Sequence, residues 1–138
     1  MKTTLKLAAL LLLVTASTTA LAMISIENLT KARAKELGLQ LRATANGPRE
    51  AWIQLEFKPE GQLKEFHHVS LEIRDNDQFL LGWTPLEARR TPAGTVTVSL
   101  MANRAFLEKV TLRIVVGAIG DQGHDLRIKD FVDLKNLP

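Results

Sequence analysis

The sequence predicts an all-β protein, an antiparallel β-sandwich of seven or eight strands with one short N-terminal helix. Three observations predict it: apolar and polar residues alternate from residue 39 onward, turn-forming residues recur every 8 to 15 residues, and no long helical pattern occurs. An immunoglobulin- or fibronectin-like arrangement is the expected form, since it needs no disulfide. A closed barrel is the alternative.

The first 22 residues have the pattern of a secretory signal peptide. Lys2 and Lys6 precede the apolar run 7–14, and "ALA" at 20–22 supplies a cleavage site. The run is shorter than the roughly 20 residues that span a bilayer, so no integral membrane segment is expected after cleavage. We therefore expect an exported bacterial protein, periplasmic or secreted, with residues 23–138 as a single domain.

Composition excludes several function classes. Without Lys2 and Lys6 the chain has 16 basic and 15 acidic side chains, and the longest basic run is the pair Arg89–Arg90. This mixed charge argues against a nucleic-acid partner. The sequence has no cysteine, which excludes cysteine nucleophiles, cysteine-ligated zinc and iron–sulfur cofactors.

The elements follow from local patterns. "NLTKARAKELG" (28–38) predicts the helix, capped by Asn28 or Thr30 and ended by Gly38. Residues 86–90 are a weak edge-strand candidate, and 102–109 form a helical turn or a loop. Trp83 is expected in the core. After the last strand, 131–134 are expected to close the sandwich. Strands are predicted at 39–45, 51–57, 69–73, 79–83, 96–100 and 110–116, with a last one that includes Leu126 and Ile128.

Four segments together resemble a set of small exported bacterial proteins with a β-sandwich pattern and no characterised activity. The segments are "AKELGLQLR", "IQLEFKPEGQLKEF", "VTLRIVVG" and "LRIKDFVDL". The resemblance covers essentially the whole mature chain and implies no site residues.

"VVGAIGDQGHDLRI" (115–128) carries three glycines that look like a phosphate cradle. A dinucleotide-binding loop needs a different spacing and a helix after it, whereas an alternating strand follows here. We therefore predict the turn of a hairpin.

Carboxylates in two turns offer a calcium alternative, since calcium prefers several carboxylate oxygens. The candidate ligands are Asp75, Asp77, Asp121 and Asp125. The turns share one end of the sandwich if 86–90 is a separate strand, and lie at opposite ends if it is not. The preferred role for these residues is local turn chemistry.

His67 and His68 suggest zinc, but adjacent residues of a regular strand point to opposite faces. His67 is expected on the core side and His68 outside. Catalytic motifs are absent from the sequence, so we expect no enzyme and assign no cofactor.

Trp52 is out of phase with its apolar neighbours and is the candidate ligand-binding residue, although packing under the helix is the preferred interpretation. The sequence thus predicts a protein-interaction or structural module of the cell envelope with an unidentified protein partner. The alternative is a module that binds calcium or a glycan.

Overall fold

The computed structural model describes residues 24–138, so the predicted signal peptide at 1–22 lies outside the described residues. Within that range the chain forms strands, three short helices and one 3₁₀ turn (Gly61–Leu63). The helices are α1 (Lys31–Glu36), α2 (Arg104–Leu107) and α3 (Ile128–Phe131). The strands are β1 (Ser25–Asn28), β2 (Gln40–Asn46), β3 (Glu50–Phe57), β4 (Phe66–Arg74), β5 (Leu80–Leu86), β6 (Ala88–Arg90), β7 (Val96–Asn103), β8 (Val110–Val116) and β9 (Gln122–Arg127).

The strands form two sheets, which confirms the all-β prediction. The five-stranded sheet has the order β1-β9-β8-β4-β5, and the four-stranded sheet has the order β2-β3-β7-β6. Every neighbouring pair is antiparallel except β1 and β9, which are parallel. Strand β1 was not predicted, because four residues before a helix are too few to show a period.

The core lies between the two sheets and follows the predicted alternation. On β8, Leu112 and Ile114 are fully buried, opposite Leu71 and Val69 of β4. From the four-stranded sheet, β3 and β7 contribute the buried side chains Ala51, Ile53, Leu55, Phe57, Val96 and Val98. The sandwich is therefore closed by aliphatic packing without a disulfide.

The chain ends close two sides of this core. Thr30 caps α1 by accepting a hydrogen bond from the Arg33 backbone N–H, and Ala34 is buried beneath it. At the other end β9 stops at Arg127 and α3 begins, which buries Ile128. Leu134 is also buried, as expected for a segment that closes the sandwich.

The edge strand predicted within 86–90 is confirmed, since β6 is the edge strand of the four-stranded sheet, but the expected position of the two turns is wrong. Strand β5 is the edge of one sheet and β6 the edge of the other, with only Glu87 between them. The chain thus passes from one sheet to the other without reversing its direction. Strand β6 therefore does not move the next turn to the other end of the sandwich. Register places the β4–β5 turn beside Val110 and the β8–β9 turn beside Phe66, at opposite ends of the sheet. The prediction that a separate strand at 86–90 would place the two turns with the candidate calcium ligands at one end is therefore wrong.

Trp83 is not a core residue, contrary to expectation. It is 53 % exposed, whereas the inner face of β5 carries Gly82, Thr84 and Leu86. The alternation of Phe79, Leu81 and Trp83 predicted a shared face but not which face it was.

Replacing Leu112 by alanine should lower the free energy of unfolding by about 2–5 kcal/mol, because it leaves a cavity between fully packed sheets. Leu81→Ala is the matched control. Its side chain is 64 % exposed, so the change should stay within about 0.5 kcal/mol. Urea denaturation of both variants measures the difference. Equal losses of stability in the two variants would contradict the burial of Leu112 in the core.

Candidate functional site

Four large apolar side chains are exposed on the β4–β5 hairpin, which we call the hairpin strip. Phe79 is 70 % exposed, Leu80 52 %, Leu81 64 % and Trp83 53 %. Apolar residues exposed singly are ordinary, but a contiguous group marks an interaction surface.

The tip of the hairpin is held by hydrogen bonds. One oxygen of the Asp75 carboxylate accepts from the backbone N–H groups of Asp77 and Phe79, each at 2.9 Å. Gln78 has φ of +67°, a left-handed conformation that non-glycine residues seldom adopt. The turn therefore fixes the direction in which Phe79 leaves it, and Asp75 has the local role typical of turn aspartates.

The backbone edge of β5 is poorly suited to pairing with another strand. The register shifts where Ile73 faces Gly82 but Arg74 faces Leu80, so Leu81 is the extra residue of a bulge. Pro85 lacks an N–H group. Bulges and prolines are common protections of sheet edges. At this edge the side chains of the hairpin strip are therefore more accessible for contact than the free backbone groups.

A chain of buried charges lies on the outer face of the same sheet. The Arg113 guanidinium donates to both carboxylate oxygens of Asp125, at 2.7 and 2.8 Å, and contacts Glu72 at 2.6 Å. Glu72, 1 % exposed, also accepts two hydrogen bonds from Arg74, at 2.7 and 3.1 Å. Two arginines and two carboxylates thus connect β9, β8 and β4.

Packing around Arg113 shows how these charges are accommodated. A Cβ atom added to Gly123 would lie 3.3 Å from the Arg113 Cδ atom, so the missing side chain leaves room for the arginine stem. The hydrogen bonds to Asp125 raise the pKa of Arg113, and the charges of Asp125 and Glu72 raise it further. Arg113 therefore remains a cation although it is only 9 % exposed.

Arg74 joins the charge network to the hairpin. Its Nη1 atom donates to the Gln78 carbonyl at 2.8 Å, while Nε and Nη2 hold Glu72. A groove of about 310 Å³ begins here and crosses the sheet to Ile26 and Asn28 on β1. The network therefore orients the hairpin strip and forms the floor of the groove beside it.

The surface next to the hairpin carries charges of both signs. A small cleft of about 90 Å³ is lined by four cations, Arg74, Lys109, Arg127 and Lys129, and by two acids, Asp75 and Glu108. Arg74 is paired with Glu72 and Arg127 with Asp130. Lys109 and Lys129 are therefore the two cations of the cleft that can meet a negatively charged group beside the hairpin strip.

Comparison of the chain with protein-family models, curated proteins and solved structures found no match. Within residues 24–138 no helix is long and apolar enough to cross a membrane.

The proposed calcium ligands are not brought together. Asp75 and Asp77 lie in the β4–β5 turn, Asp121 lies in the β8–β9 turn at the opposite end, and Asp125 is paired with Arg113. No group of three or more potential metal-ligating acids, histidines or cysteines occurs in the described part of the chain.

The glycine-rich stretch is a hairpin, as predicted. It connects β8 and β9, and both Gly117 and Gly120 have positive φ, at +102° and +67°. The Gly120 backbone N–H donates to the Gly117 carbonyl at 3.0 Å, which closes the turn. These glycines serve chain reversal.

Trp52 lies on the outer face of β3 and is 44 % exposed, so the preferred prediction that it packs under the helix is wrong. Its cross-strand neighbours are Thr44 and Met101. The expected orientation of His67 is also wrong. A register shift between Phe66 and His68 packs Phe66 against the core and leaves His67 exposed.

The sequence analysis missed the hairpin strip and the charge network. The run "QFLLGW" carries no charge, and this was the available signal for the hairpin strip. Arg113 and Glu72 occupy positions that alternation predicts to be solvent-exposed, so nothing local predicts their burial.

Glu72→Gln should destabilise the protein by about 3–5 kcal/mol, because two arginines would keep their charge without the carboxylate that they share. The matched control is Glu87→Gln, whose ion pair with Arg89 is about three-quarters exposed on both sides. That change should stay within about 0.5 kcal/mol. Thermal and urea unfolding test both variants. An unchanged free energy of unfolding in Glu72→Gln would show that the buried network adds no stability.

Proposed function

We propose that the chain is an exported, non-catalytic protein-interaction module, periplasmic or secreted, that binds a partner segment through the hairpin strip. The observation that carries the proposal is the exposure of four large apolar side chains within five residues, on a turn fixed by Asp75. Rigid apolar and aromatic anchors are the groups that dominate protein-interface energetics.

The charges beside the hairpin strip indicate the chemistry of the partner. The cleft that holds Lys109 and Lys129 adjoins the hairpin, so a segment with apolar side chains and a neighbouring carboxylate complements this surface. A second copy of this chain offers no such carboxylate on its own hairpin strip, whose side chains are apolar.

The buried charges on this face support a non-catalytic role. Glu72, Asp125 and Arg113 are committed to one another and buried, which favours structural work over proton transfer.

We also infer an immunoglobulin-like arrangement from the strand order. Immunoglobulin sandwiches have the order A-B-E-D in one sheet, with G, F and C beside C′ in the other. If β2 is strand A, the order β2-β3-β7-β6 is A-B-E-D and β9-β8-β4-β5 is G-F-C-C′. The additional strand β1 pairs with β9. This agreement in strand order supports the immunoglobulin-like arrangement.

An acid-flanked apolar peptide is the probe for the partner site. A fluorescein-labelled peptide Glu-Leu-Phe-Leu-Glu should bind the protein, with weaker binding as salt rises, whereas the Lys-flanked version should not. Leu81→Asp should abolish binding, because it places a charge in the hairpin strip. Fluorescence polarisation measures each affinity.

Ile119→Asp is the matched control, since Ile119 is 75 % exposed but lies in the turn at the opposite end of the sheet. It should leave peptide binding unchanged. Binding that Ile119→Asp and Leu81→Asp reduce equally, or no binding to either peptide, would contradict the proposal. If the protein dimerises and Leu81→Asp removes the dimer, the partner is a second copy of this chain and not an acidic segment.

A glycan ligand is a second candidate, and the half-exposed Trp52 on the outer face of the four-stranded sheet favours it. A saturating oligosaccharide should then raise the melting temperature of the protein, by the stabilisation that any ligand of the folded state provides. Trp52→Ala should remove the shift and Trp83→Ala should keep it. A shift that survives Trp52→Ala would reject Trp52 as the binding residue.

A further inference from the structure

Two adjacent histidines face each other at the start of β4. The Nδ1 atoms of His67 and His68 are 3.1 Å apart, although neighbouring side chains of a regular strand point to opposite faces. The register shift between Phe66 and His68 removes that regularity. The irregular backbone thus turns both rings toward one point.

The separation of the two nitrogens matches that of a metal chelate. A metal about 2.0–2.1 Å from each imidazole nitrogen holds the two nitrogens about 3.3 Å apart in tetrahedral geometry, and about 2.9 Å apart in square-planar geometry. The observed 3.1 Å lies between these values. The ring centroids are 5.3 Å apart, so the nitrogens are directed inward.

We propose that His67 and His68 form a two-nitrogen site for a divalent transition metal, with Cu²⁺ bound more tightly than Zn²⁺. Imidazole nitrogen suits both ions, and affinities of such sites rise toward copper. Water completes the coordination, since His67 is exposed to solvent. The proposal does not rest on the peptide ligand, although His68 contacts Trp83 of the hairpin strip.

The surroundings support metal binding. His68 is partly buried against Trp83, with ring centroids 6.3 Å apart and ring planes at 87°. His67 packs beside Gly120, where a Cβ atom would lie 3.7 Å from its ring. Both rings are therefore oriented before a metal arrives.

The contact between His68 and Trp83 provides a reporter. Bound Cu²⁺ quenches the fluorescence of a nearby indole, and the two tryptophans lie on different sheets. In a Trp52→Phe protein, which keeps Trp83, Cu²⁺ should quench the emission saturably at one equivalent. In a Trp83→Phe protein, which keeps Trp52, it should not. Zn²⁺ should compete with Cu²⁺, and Ca²⁺ should not.

Variants of the two ligands decide the proposal. His67→Asn alone should weaken Cu²⁺ binding at least about tenfold, a loss typical even of residues that only support a ligand. The double variant His67→Asn and His68→Asn should abolish quenching. His67 is exposed, so its single variant should fold, and its melting curve verifies this. Unchanged quenching in the double variant, or no saturation up to millimolar Cu²⁺, would overturn the assignment.

Discussion

The Arg113 guanidinium holds three strands together on the outer face of the five-stranded sheet. It pairs with Asp125 on β9 and with Glu72 on β4 while its own strand, β8, lies between them. Buried ion pairs are costly to desolvate, and replacing such a pair by apolar residues is often neutral for stability. The network therefore serves to fix the register of these strands, because the charges can meet in only one register.

The same constraint reaches the hairpin strip. Glu72 also binds Arg74, and Arg74 binds the Gln78 carbonyl where the chain turns back toward Phe79. The Asp75 carboxylate stabilises the turn separately, by accepting hydrogen bonds from its backbone. Two independent sets of hydrogen bonds thus hold an apolar surface that the core does not need. Rigid presentation would lower the entropy lost by this surface in the binding that we propose.

The sequence predicted the parts of the fold that depend on period. Alternation located the strands around Leu55 and Leu112, and the spacing of Gly117 and Gly120 located a hairpin, because backbone conformation is a local property. It could not place Trp83, since a period of two identifies two faces but not the inner one. The charge network was also out of reach, because its members come from three strands that only the folded sheet makes neighbours.

Irregular positions account for the sites that the pattern concealed. Leu81 is exposed where β5 bulges against β4, and His67 turns toward His68 where β4 shifts against β8. A bulge changes the direction of one side chain without changing the sheet around it. Both shifts flank the ordered stretch of β4 that carries Glu72. Strand β4 therefore has a fixed middle, where Arg113 holds Glu72, and two irregular ends that redirect the side chains beside them.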